Sequence, residues 1–197
     1  KLTPDVVLKK LKEGNERFRN GIETHRDHSE QVRNYESGQY RKAIVLGCID
    51  SRVPVEDVFD QGIGDLFVGR VAGNVVNEEQ LGSMEYACKV AGAKLVMVLG
   101  HEHCGAVKSA IDDVKLGNIT ALLTKIKPAI LKSQDFTGEK TSKNEAFVKH
   151  VCENNVRNTI EQIRAKSPIL KEMETKGQIK IVGAYFDLSD SSLEFVQ

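Results

Sequence analysis

Tryptophan is missing from the 197-residue chain, and aromatic residues make up only 6% of it. Any core must therefore be aliphatic. No charge of one sign prevails, because 28 basic residues face 28 acidic ones. That balance excludes the electrostatic footprint of a protein built to hold nucleic acid or an anionic membrane. No apolar run reaches the roughly 18 residues a membrane span needs. Internal repeats and low-complexity tracts are also lacking. Cysteine is sparse: Cys48, Cys88, Cys104 and Cys152 are the whole set. Four widely spaced cysteines in a chain this long do not form a disulfide framework. Reduced thiols or metal ligands are expected, which favours a cytoplasmic location. The chain opens on Lys1 rather than Met. A trimmed chain is expected on that ground, and a removed signal or transit peptide stays compatible with it.

What is present reads as one α/β domain over residues 1–197, with a helical arm over 1–37 and an α/β core over 42–197. Thr3-Pro4 is a helix cap followed by proline at the first helical position. Val7, Leu8, Leu11 and Phe18 then recur at helical spacing up to Gly21. A second helix is expected over Ser29–Glu36, ended by Gly38. Four apolar runs suit buried strands: 43–46, 66–68, 95–99 and 179–185. Helical stretches lie between and after them, over 78–90, 106–114, 119–131 and 144–165, with a short one after Pro168. Ser192–Val196 suits a short edge strand. Alternation of this kind predicts a mainly parallel central sheet flanked by helices. The two N-terminal helices each need a surface for one apolar stripe, in this domain or on a partner.

Two motifs follow predicted strands. One is Cys48-Ile49-Asp50-Ser51-Arg52 and the other is His101-Glu102-His103-Cys104-Gly105. In open parallel sheets, sites form beyond the carboxyl ends of the strands, so both motifs should reach one crevice. Cys48, His101 and Cys104 make a Cys2His set suited to zinc, with a fourth position left open as in catalytic sites. Taken singly, a cysteine at a strand end also reads as a small buried apolar residue; Cys88 and Cys152 fit that reading. Asp50 and Arg52, two apart, can pair and orient each other. Asp50 could then accept a hydrogen bond from water on the metal, bind the metal itself, or form a plain structural ion pair.

These motifs resemble the signature pair of β-class carbonic anhydrases. The resemblance continues through Gly14-Asn15-Glu16-Arg17-Phe18, Arg70-Val71-Ala72-Gly73-Asn74, Gly82-Ser83-Met84-Glu85-Tyr86-Ala87 and Gly183-Ala184-Tyr185. It implies one zinc per chain on Cys48, His101 and Cys104, and reversible hydration of carbon dioxide to bicarbonate by water activated on that zinc. It implies Asp50 and Arg52 as an orienting dyad. It also implies a homodimer or homotetramer whose N-terminal helices grip the partner. Gln39 matches a glutamine that reaches an active site across that interface. Phe67, Tyr86 and Gly105 match substrate-pocket positions. Val45 stands where a bicarbonate-regulated branch carries Trp, which places the chain nearer the plant-like branch. Val71 and Ile49 depart from the usual residues and bear on pocket shape. His103 is unusual at its position and reads as a proton shuttle or an exposed bystander. Two rival readings remain: a carbon disulfide or carbonyl sulfide hydrolase on the same scaffold, and a non-catalytic zinc or redox module with a closed four-ligand site.

Overall fold

The computed structural model describes residues 2–36 and 41–196. Helix α1 spans Pro4–Arg19, and its first turn is closed by Thr3, whose hydroxyl accepts the Val6 N–H. Its stripe turns onto the chain's own core, where Val7 and Leu11 are fully buried. Leu8 and Phe18 of the same stripe are only partly buried, and Val6 beside them is exposed. Helix α2, His28–Asn34, buries none of its residues.

Strand β1 (Ala43–Gly47) leads to the one-turn helix α3 (Val55–Val58) and then to β2 (Leu66–Arg70). Helix α4 (Glu78–Glu85) runs directly into a π-helical turn, Tyr86–Val90. Strand β3 (Leu95–His101) is buried along its whole length. Helices α5 (Gly105–Ile111), α6 (Gly117–Thr124) and α7 (Lys127–Leu131) follow, then the long α8 (Glu145–Lys166) and α9 (Pro168–Thr175). Strands β4 (Lys180–Phe186) and β5 (Leu193–Val196) close the chain.

The sheet order is β2-β1-β3-β4-β5. The first four strands are parallel and β5 is antiparallel at the edge, as the alternation of apolar runs and helices predicts. Side chains alternate across the sheet. Ala43, Val45, Leu95, Met97 and Leu99 pack toward α1 and α3. Ile44, Leu46, Val96 and Val98 pack toward α4, α8 and α9. Close approach of α1 to the chain after α3 depends on Gly14, since a Cβ there would sit 1.9 Å from the Phe59 carbonyl oxygen.

Two element expectations needed correction. The single helix expected over 119–131 is two, α6 and α7. Pro128 has no N–H to bond back one turn, and it sits in the first turn of α7, where that loss costs nothing. The helix expected over 106–114 ends at Ile111, where Asp113 takes a left-handed φ of 52°.

Candidate metal centre

From β1 the chain goes first to its neighbour β2 and then to β3 on the other side of β1. The loops after β1 and β3 therefore diverge, and the gap between them opens at the carboxyl ends of both strands. Cys48 directly follows β1, His101 is the last residue of β3, and Cys104 caps the N-terminus of α5. Their ligand atoms lie within 4.8 Å of one another, and all three residues are buried. Among the described residues no other such group of His, Cys, Asp and Glu occurs, and this one has three members.

The imidazole is oriented for a metal. His101 Nδ1 lies 2.7 Å from the Glu102 carbonyl oxygen, so the proton belongs on Nδ1. That leaves Nε2 as a bare lone pair, buried and without a hydrogen-bond partner among the described residues. A buried acceptor of this kind is costly unless something binds it. The two sulfurs lie close enough to influence each other. Cys48 is pushed well below the ordinary thiol value, first by Cys104 and further by the Gly73 N–H, against the opposing effect of burial. Cys104 is pushed up by Cys48 and by burial. Two cysteine sulfurs, which bind zinc as thiolates, and an aimed imidazole lone pair fit a tetrahedral zinc ion, with a fourth position left for another ligand.

Asp50 and Arg52 form a fork. Arg52 Nε donates to Asp50 Oδ1 at 2.9 Å and a terminal nitrogen donates to Oδ2 at 2.7 Å. Those bonds, first among several causes, hold the Asp50 carboxyl well below the usual carboxylate range. Oδ2 lies 3.9 Å from His101 Nε2, so the carboxylate faces the ligand set. Arg52 also donates to the His103 carbonyl at 3.3 Å, tying the two loops together.

The sequence pattern assigns no role to Arg70, Gly73 or Asn155, yet all three support the cysteine-bearing loops. Arg70 donates to the carbonyls of Cys48, at 2.7 Å, and of Asp50, and so shapes the first loop. Gly73 donates its N–H to Cys48 Sγ at 3.3 Å. Asn155, on α8, donates to the Gly73 carbonyl at 2.7 Å. The available signal for Asn155 is its helical spacing, three and four positions after the apolar Cys152 and Val151 and so on their face of the helix. His103 is bound at Nδ1 to Glu145, 2.8 Å away, and Glu145 also takes a bond from Lys108.

The remaining expected site residues are dispersed. Gln39 lies outside the described residues. Gly105 opens α5, and a Cβ there would meet nothing. Phe67 and Tyr86 meet edge to face, with ring centroids 6.5 Å apart. They line a cleft of about 550 Å³ along β2 and α4 that none of Cys48, His101 or Cys104 touches. Ile49 is 63% exposed and Val71 packs against the core. Cys88 and Cys152 are buried free thiols, as the small-apolar reading expects.

The family model described as carbonic anhydrase matches residues 43–193. Carbonic anhydrase 2 of Mycobacterium tuberculosis is 36% identical over 193 residues, covering 95% of this chain and 90% of the relative. A carbonic anhydrase of Mycolicibacterium smegmatis is 37% identical over 197 residues, covering 97% and 92%. Among solved structures, a tetrameric β-carbonic anhydrase of Sordaria macrospora superimposes with a TM-score of 0.74 at 21% identity, covering 85% of this chain and 90% of that one. A Coccomyxa β-carbonic anhydrase solved with acetazolamide gives 0.72 at 23% identity, covering 85% and 77%. At those identities the structural likeness speaks for the fold.

Proposed function

The chain belongs to the β-class carbonic anhydrase family, and we propose how its residues divide the work of interconverting carbon dioxide and bicarbonate. It is a zinc enzyme, and Cys48, His101 and Cys104 would hold the ion. Zinc bound there supplies Lewis acidity, which makes a water-derived nucleophile available near neutral pH. The observation that carries the division of roles is the Asp50 carboxylate, gripped at both oxygens by Arg52 and turned toward the ligand set.

Held as an anion, Asp50 is acceptor-only. It takes the hydrogen bond of the attacking oxygen and so aims a lone pair at the carbon of carbon dioxide. Arg52 fixes the direction of that acceptor and keeps the carboxylate off the metal. Burial of Cys48, His101 and Cys104 excludes bulk water around the reacting atoms and strengthens each of these interactions. Bicarbonate then leaves and a proton passes to buffer.

The working unit we infer is a dimer. Phe67 and Tyr86 sit in a cleft apart from their own chain's Cys48, His101 and Cys104, with Tyr86 53% exposed. They can serve a metal centre only as a wall donated to a second copy. Gln39 is assigned to the same contact by its match to the family's glutamine. Plant-like membership within the family is favoured by Val45, which is fully buried in the core beneath α1. Among the described residues, no helix is long and apolar enough to cross a membrane.

Arg52→Ala tests the division of roles. The variant should keep stoichiometric zinc, while stopped-flow hydration falls roughly 100-fold as Asp50 loses its fixed direction. Hydration at the wild-type rate in zinc-loaded Arg52→Ala protein would remove Arg52 from the mechanism. A comparison with carbon disulfide turnover separates the sister hydrolase reading.

A further inference from the structure

The polar side chains of α8 turn inward. Asn155 is 0% exposed, and Nδ2 donates to the Gly73 carbonyl at 2.7 Å. One turn later, Thr159 donates its hydroxyl to the Asn74 carbonyl at 3.2 Å. One turn earlier, Cys152 packs in the same buried cluster as Cys48 and Cys104. Positions 152, 155 and 159 share one face of a helix. That face therefore backs both cysteine-bearing loops.

The loop that Asn155 and Thr159 hold does not favour its own shape. Gly73 has φ 71° and Asn74, which is not glycine, has φ 43°. Consecutive left-handed residues are strained, and they persist where surrounding groups over-determine them. Gly73 is also sterically fixed, because a Cβ there would lie 2.7 Å from Ile126 Cδ1. The result of this shape is one specific contact: the Gly73 N–H points at Cys48 Sγ, 3.3 Å away. Asn155 is retained at a cost, since its Oδ1 is buried with no partner among the described residues. An apolar side chain of similar size would avoid that cost. What the asparagine alone supplies is the donor to Gly73.

We propose that Asn155 is a positioning residue for the metal: by clamping Gly73 it fixes the N–H that holds the Cys48 sulfur in its ligand position. The proposal rests on Cys48 being a ligand. A hydrogen bond to a ligand atom sets its direction and basicity, and loss of such a partner costs roughly 10–100-fold in metal affinity. Thr159 acts on the same loop from one turn further along and has the lesser effect.

Full-length protein loaded with cadmium-113 in place of zinc gives the test. Scalar coupling between the metal and the Gly73 amide proton, carried through Cys48 Sγ, should be present in the wild type. In Asn155→Ala that coupling should vanish or weaken, and loss of the native zinc to a chelator should accelerate by about 10–100-fold. Asn154→Ala is the control. Asn154 bonds Ser133 Oγ at 2.8 Å, so its loss disturbs α8 without reaching the Gly73 loop. It should keep the coupling and the wild-type release rate. Thr159→Val gives a milder form of the Asn155→Ala result should that variant not fold. Equal coupling and equal release in Asn155→Ala and Asn154→Ala would overturn the proposal while leaving the ligand set intact. Cadmium bound without Cys48 would overturn the ligand set, and the proposal with it.

Discussion

Asp60 is the charged residue whose surroundings are most fully explained at the scale of single side chains. Its side chain is 1% exposed, yet it is ionised. Burial alone would raise its pKa. Hydrogen bonds from Arg26, Arg17 and Thr24 outweigh burial and hold it at about 2. A depressed carboxyl stabilises the fold at any pH above its unfolded value near 4, and that contribution is lost as pH falls toward 2. The difference corresponds to about 2 kcal/mol. Urea unfolding at fixed pH should therefore show stability dropping between about pH 4 and pH 2. In Asp60→Asn the drop over that window should be smaller by about 2 kcal/mol. A variant with the same acid slope as the wild type would show that other carboxylates cause it. Nothing in the sequence pattern marks Asp60, because Arg17 and Arg26 lie 43 and 34 residues away from it.

At the scale of elements, α1 shows local signals agreeing with tertiary use. Its cap, its proline at the first position and its apolar spacing all appear in the sequence, and the stripe they define is the stripe that is buried. Which surface covers it was not legible, because an amphipathic helix carries no information about whose core it meets. Leu11, fully buried among Phe59, Val58 and the sheet, tests this. Leu11→Ala should cost about 2–5 kcal/mol in chemical denaturation, independent of protein concentration. A loss that appears only on dilution would instead place Leu11 in a subunit contact. Helices α6 and α7 show the converse case. The apolar period runs through Pro128, but the missing N–H breaks the hydrogen-bond ladder there.

For the whole molecule, the open question of partners falls on β2, an edge strand that is only half-buried. Arg41 lies 5.0 Å over the Phe67 ring, and Phe67 and Tyr86 wall the cleft beside it. If this wall completes a second copy's active site, Tyr86→Asp should lower both association and activity together. Because Tyr86 is exposed in the single chain, the variant should keep its fold and its zinc. Sedimentation velocity with metal quantification checks this. A fully active Tyr86→Asp dimer would move the interface elsewhere.

The sequence by itself determined the parallel sheet, the strand ends at which chemistry sits, and the three residues suited to zinc. Each follows from short-range facts: an apolar run long enough for a strand, a cysteine or histidine at its end, a thiol's affinity for a soft ion. Only the tertiary structure decided the rest. It brought Cys48 and His101 together by laying β1 against β3. It turned Nε2 rather than Nδ1 toward the cysteines by giving Nδ1 the Glu102 carbonyl. It set Asn155 behind Gly73 across 82 positions of chain. Contacts of that range depend on how helices pack on the sheet, and a pattern of neighbouring residues does not encode that packing one residue at a time.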